Sequence, residues 1–195
     1  TLRDRYIATP LGPIVQGQAK AFIDALKMLD NWKYDDVNLG VPAEWGPGVI
    51  LVIDSLTFMS DAAWNFREPL VPKSKDGKYD VRAVYKDSQD AISSVLALIT
   101  GDDFRTNVIV ISHVRYVTNI DGTTKGYPTS VGSALSPEIP RYFNSVALAQ
   151  TSAGKRQIQT TPTAMIDLAN PASFKMLPTL PIETGLATFF QTLRS

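Results

Sequence analysis

Residues 46–58 read Gly-Pro-Gly-Val-Ile-Leu-Val-Ile-Asp-Ser-Leu-Thr-Phe, or GPGVILVIDSLTF. The apolar run Val49-Ile50-Leu51-Val52-Ile53 is continuous rather than alternating. That pattern fits a strand covered on both faces, as in a parallel sheet flanked by helices. Asp54 closes the run, which places a carboxylate at the carboxyl end of the strand. In open α/β sheets ligands bind along this edge. Residues 107–112, NVIVIS, repeat the arrangement, with Ser112 and His113 following the apolar stretch.

Working outward, residues 18–33 place Phe22, Leu26, Leu29 and Trp32 at helical spacing. Residues 10–17 and 34–48 read as loops. Leu56, Met59, Ala63 and Phe66 form an apolar helical stripe after the first strand. Residues 67–80 are polar and turn-rich, which predicts a mobile surface loop. Asp80 is placed to cap a long helix with the stripe Val84, Ser88, Ile92, Val95 and Ile99, and Gly101 to end it. Beyond the second strand, VRYVTNIDGTTKGYP predicts a hairpin turning at Asp121-Gly122. SPEIPRYF predicts a short helix. NSVALAQT and KRQIQTT predict two antiparallel strands joined through Ser152-Ala153-Gly154, and ETGLATFFQTL a terminal helix. The order predicts a parallel α/β core with an antiparallel extension.

Composition narrows the classes. The chain has 195 residues, enough for one domain with a real core. It carries 19 basic and 19 acidic residues, so any nucleic-acid footprint is local. It has no cysteine, which excludes disulfides and thiolate–metal sites. No apolar run reaches the ~20 residues of a membrane-spanning helix. The opening TLRDRY reads as the tail of a strand, with an N-terminal piece missing.

Two strands that each end in polar groups suit nucleotide hydrolysis. There an aspartate at a strand end holds Mg²⁺, and a polar group on the neighbouring strand meets the γ-phosphate or the attacking water. Asp54 suits the first role, His113 or Ser112 the second. Asp54 suits equally well as the N-cap of the helix after it, and a lone histidine after a strand is commonly structural. The phosphate loop G-x-x-x-x-G-K-[ST] is absent. The Gly-Lys pairs are Gly77-Lys78 and Gly154-Lys155, followed by Tyr79 and Arg156. None of Glu44, Glu68, Glu138 or Glu183 ends a predicted buried strand.

The segments VILVIDSLTFM, NVIVISHVRYVTNIDGTTKGYPTSVGSALSPEIPRYFNSVALAQ and PIETGLATFF, in that order, resemble bacteriophage RecA-like P-loop ATPases of AAA type. Relatives of that family act in single-strand annealing and recombination. The resemblance implies one RecA-like domain over residues 1–195, a mainly parallel sheet flanked by helices with C-terminal antiparallel hairpins. It also implies a Walker A loop upstream, so that TLRDRY follows the second core strand. It makes Asp54 the Walker B aspartate, with Ser55 beside it at the nucleotide. His113 and Ser112 become the sensor position. ATP and Mg²⁺ are the implied cofactors of the parent protein, a phage ATPase in DNA recombination, annealing or replication. Without the loop, this chain alone is expected to be inactive. A homo-oligomer in the host-cell cytoplasm follows, in which Arg141, Lys155 or Arg156 reaches a neighbour's nucleotide. Single-stranded DNA is the implied partner, with Arg115, Tyr116 and Lys125 on the hairpin as contacts. The other class of reading is a non-catalytic oligomerisation or DNA-binding module that keeps the fold.

Overall fold

The computed structural model describes residues 20–73, 77–78 and 80–194. The expectations for residues 1–17, the TLRDRY strand tail included, and for part of the 67–80 loop lie outside the described residues. The chain is mixed α/β and divides into two compact units.

The first unit runs through His113 and takes in residues 129–135. Its helix α1 spans Ala21–Asp30 and buries Phe22, Ala25 and Leu29, one face at helical spacing. Residues 34–48 are more ordered than a loop. Strands β1 (Trp32–Tyr34) and β2 (Val37–Gly40) pair antiparallel, and Pro42–Glu44 form a 3-10 turn. The two-residue turn places Asp35 at φ 50°, which aspartate tolerates. Trp45 packs on Trp32 at 5.5 Å between rings and donates from Nε1 to the Leu39 carbonyl. The acidic, glycine-rich composition of this segment hid a hairpin held by two tryptophans.

Strand β3 is Ile50–Asp54, and helix α2 is Leu56–Arg67. Helix α3, Val81–Ile99, begins at Asp80 as expected and buries Val84, Ser88, Ile92, Val95, Leu96 and Ile99. Strand β4 is Asn107–Ile111, parallel to β3, with Ile50 opposite Asn107 and Asp54 opposite Ile111. Two helices between adjacent parallel strands satisfy the long crossover that such pairing requires. Ser60 on α2 hydrogen-bonds Ser130 at 2.9 Å, and Gln89 on α3 donates to the Val131 carbonyl, which fixes residues 129–135 against both helices.

Two features differ from the expected mainly parallel, doubly covered sheet. Among the described residues, parallel ladder pairing is confined to β3 and β4. The continuous apolar run is also covered on one face only. Leu51 is 3% exposed, whereas Ile50 and Val52 are 43% and 49% exposed. A continuous run therefore marked apolar character on both faces without marking burial of both.

The second unit holds residues 114–128 and 136–195. Strands β5 (Val114–Thr118) and β6 (Thr124–Pro128) form the expected hairpin. Ser136–Tyr142 is a 3-10 helix, the tighter form suited to a short segment carrying Pro140. Strands β7 (Leu148–Ser152) and β8 (Lys155–Gln159) pair antiparallel, with Ala153 and Gly154 at φ 49° and 76° in the turn. A third strand, β9 (Thr179–Pro181), adds to β8, and helix α4 (Ile182–Arg194) follows. Ile158, Ala172, Met176, Leu180 and Phe189 make this unit's core. Gly185 lets α4 approach the sheet. A Cβ there would lie 2.9 Å from Ile158 Cδ1 and 3.1 Å from Leu180 Cβ. No helix of the described residues is long and apolar enough to cross a membrane.

Candidate functional site at the end of the parallel pair

The parallel register puts Asp54, Ser112 and His113 at the same, carboxyl edge of β3 and β4. What each group can do there depends on what it is already bonded to. Ser55, not Asp54, caps α2. Its backbone is extended, its side chain is buried, and its Oγ accepts from the Phe58 amide at 3.4 Å. Asp54 is exposed, and its carboxylate makes no hydrogen bond or ion pair with any described residue. The capping alternative for Asp54 is thus taken by its neighbour, and the carboxylate is left for something else.

Ser112 is less free. Its hydroxyl has one proton, and three oxygens surround it: Thr129 carbonyl at 3.1 Å, His113 carbonyl at 3.1 Å and Thr57 Oγ1 at 3.3 Å. Thr57, on the first turn of α2, accepts from the His113 amide at 3.1 Å, and its hydroxyl lies 3.3 Å from the Thr129 carbonyl. The Thr129 amide in turn donates to the His113 carbonyl at 2.7 Å. These bonds form a clasp joining α2, the end of β4 and the start of residues 129–135. Thr57 was missed in the sequence, because its partners lie 55 and more residues away. The only local signal was a hydroxyl in a helical first turn. The His113 ring is exposed and meets the edge of Phe58 at 5.5 Å between centroids, with Phe58 itself 64% exposed.

Among the described residues, no group of three or more acidic or histidine side chains could share a metal ion. A cation at Asp54 would take one protein carboxylate and complete its shell with water and ligand oxygens. That arrangement suits Mg²⁺, a hard ion that keeps several waters.

The remaining candidate residues lie in the second unit and are not gathered into one site. On the β5–β6 hairpin, Arg115 is opposite Tyr127 and Val117 opposite Lys125, so these four share a face. Tyr116 lies on the other face, over Gly126. A Cβ on Gly126 would fall 3.0 Å from the Tyr116 ring and 2.9 Å from Ile166 Cγ1, so only glycine fits beneath that ring. Lys125 is ion-paired with Asp167 at 2.9 Å. Arg115 and Tyr116, adjacent in sequence, therefore point to opposite sides. Arg141 pairs with Glu138 and lies 5.3 Å from the Tyr142 ring centroid. The Tyr142 side chain first, and the Glu138 charge second, hold its pKa above the ordinary value. Lys155 and Arg156 are exposed at the start of β8, just past the turn.

No protein-family model, no curated protein and no solved structure matches the chain.

Proposed function

We propose that the edge formed by Asp54, Thr57 and His113 is the metal side of a nucleotide-hydrolysing site of RecA-like type. The phosphate-binding loop belongs, in this reading, to residues ahead of the sequence. One observation carries the proposal. Asp54 ends a strand of a parallel pair, is exposed, and is spared from capping by Ser55. An acid kept unpaired at that edge has no evident structural use. Asp54 would hold Mg²⁺ of bound ATP. The His113 imidazole, on the adjacent strand's end, would face the γ-phosphate. The clasp of Thr57 and Ser112 would hold His113 in place, a positioning role for Ser112 instead of direct contact.

The test has two arms. Calorimetry of the 195-residue chain with Mg²⁺ and ATP is expected to show little binding, since one carboxylate-held metal does not replace the donors of a phosphate loop. Micromolar affinity would show that the phosphate site has been misplaced. In a longer protein carrying that loop, Asp54→Asn is expected to abolish Mg²⁺-dependent hydrolysis while leaving the melting curve unchanged. Retained hydrolysis would overturn the assignment.

A further inference from the structure

The turn between β5 and β6 couples a conformational need to a chemical weakness. Gly122 sits at φ 82°, in the left-handed region that glycine enters without steric cost, and the turn therefore favours an Asp-Gly pair. The same pair is prone to isoaspartate formation, because glycine has no side chain to shield its amide nitrogen. Residues 119–123 are all exposed, so burial does not protect the pair. Hydrogen bonds take that part. The Gly122 amide donates to the Asn119 carbonyl at 3.0 Å. Asp121 Oδ1 accepts from the Thr123 hydroxyl at 2.6 Å and from the Thr123 amide at 2.9 Å. Both bonds favour the ionised carboxylate, the hydroxyl bond more than the amide bond. The Thr123 hydroxyl is itself fixed, since it accepts from Asn119 Nδ2 at 3.0 Å.

We infer that Asp121-Gly122 is an isoaspartate-forming site that Thr123 keeps closed while the β5–β6 hairpin is folded. The reaction has two steps. The Gly122 nitrogen gives up its proton and attacks Asp121 Cγ, so that a C–N bond forms and the protonated carboxyl loses one oxygen as water. The cyclic imide then takes up water at the Asp121 main-chain carbonyl, and the bond from that carbonyl to the Gly122 nitrogen breaks. The water lost in the first step is regained in the second, so no co-reactant is needed. The main chain then runs through Cγ and is one methylene longer. The folded turn opposes the first step at both reacting groups. The N–H of the nucleophile is committed to Asn119, and the electrophile is held as a carboxylate, whose oxygen leaves poorly. An added methylene shifts the chain where Thr118 pairs with Thr124, so an opening that ends in reaction is not undone by reclosing. This site stands apart from the nucleotide-site reading and requires neither ATP nor Asp54.

Prolonged warm incubation of the chain at one fixed pH near neutrality, followed by tryptic mapping, tests it. The peptide Tyr116–Lys125 carries this site alone and separates it from the other Asp-Gly pair, Asp76-Gly77. Each protein is compared with itself unfolded in guanidinium. The folded parent is expected to form isoaspartate at residue 121 at least about tenfold more slowly than its unfolded form, the worth of one hydrogen bond to a charged group. Thr123→Val keeps the branched shape and removes the hydroxyl, and it should recover most of that factor in the folded state. Thr123→Ser keeps the hydroxyl and should react as slowly as the parent. Amide exchange at Val117 and Lys125, opposite each other in the ladder, checks that the hairpin of each variant stays closed. A folded parent that reacts as fast as its unfolded form would overturn the inference. So would a valine variant as slow as the parent, or one that reacts fast only with its ladder protection lost, which would make strand pairing and not Thr123 the guard.

Discussion

Two helices of the first unit begin next to an aspartate, and the two aspartates do opposite things. At the start of α3, Asp80 turns its carboxylate onto the helix and accepts from the Arg82 and Ala83 amides at 3.0 and 3.3 Å. At the start of α2 the acid stands one residue earlier, Ser55 takes the cap, and Asp54 stays exposed and unpaired. A single step of register separates an acid bound to a helix end from one left exposed beside it. The comparison teaches that helix-cap preference, real as it is, attaches to a position and not to the nearest acidic residue.

The sharpest way to break this contrast is through activity. In a longer protein with a phosphate loop, Asp54→Asn is expected to lower Mg²⁺-dependent ATP turnover by about 100-fold or more. Loss of a residue that merely orients a metal ligand already costs roughly 10–100-fold. Steady-state hydrolysis measures it. Turnover within a few-fold of the parent would place Asp54 with the idle acids.

Stability comes next in size. Thr57→Val keeps the shape of the side chain and removes the acceptor for the His113 amide. The expected loss is about 0.5–1.5 kcal/mol by urea unfolding, the net worth of a hydrogen bond whose donor lies at the surface. A loss within error would mean that the clasp does not hold β4 to α2. Asp80→Ala is expected to cost about 1 kcal/mol, whereas Asp54→Ala should stay within about 0.5 kcal/mol. Equal losses at the two positions would erase the distinction drawn here.

The smallest effect concerns a third aspartate, also committed. Asp121 at the β5–β6 turn accepts from the Thr123 hydroxyl at 2.6 Å and the Thr123 amide at 2.9 Å. Those two bonds, the hydroxyl first, hold its pKa below the ordinary carboxylate value. The folded value being depressed, the contribution is present above the unfolded pKa and is lost as pH falls through the folded one. Asp121→Asn is therefore expected to show a slight deficit at neutral pH that closes in acid. A deficit that widened in acid would contradict the sign.

Local pattern carried much of the fold into view. The stripes of α2 and α3, the Asp121-Gly122 turn and the strands Ile50–Asp54 and Asn107–Ile111 all depend on residues a few positions apart. What escaped depends on distance. The β1–β2 hairpin is secured by Trp32 against Trp45, and β9 is a three-residue strand defined only by its pairing with β8. At the candidate site, Asp54 and His113 were visible as strand ends. That Ser112 is engaged by three oxygens, and that Thr57 engages it, follows from residues 129–135 folding back onto α2. The same holds for Lys125, whose partner Asp167 is 42 residues away.

The turn between β7 and β8 leaves room for engineering. Ala153 sits at φ 49° and Gly154 at 76°, so both residues occupy the left-handed region that tight hairpins of this twist demand. Glycine meets that demand freely, but alanine carries a strain of roughly 1–2 kcal/mol. The natural loop is thus a place where the molecule has not been optimised. Replacing Ala153 with asparagine, the residue that Asp-Gly and Asn-Gly turns favour, would tighten the hairpin without touching the core or the edge that carries Asp54.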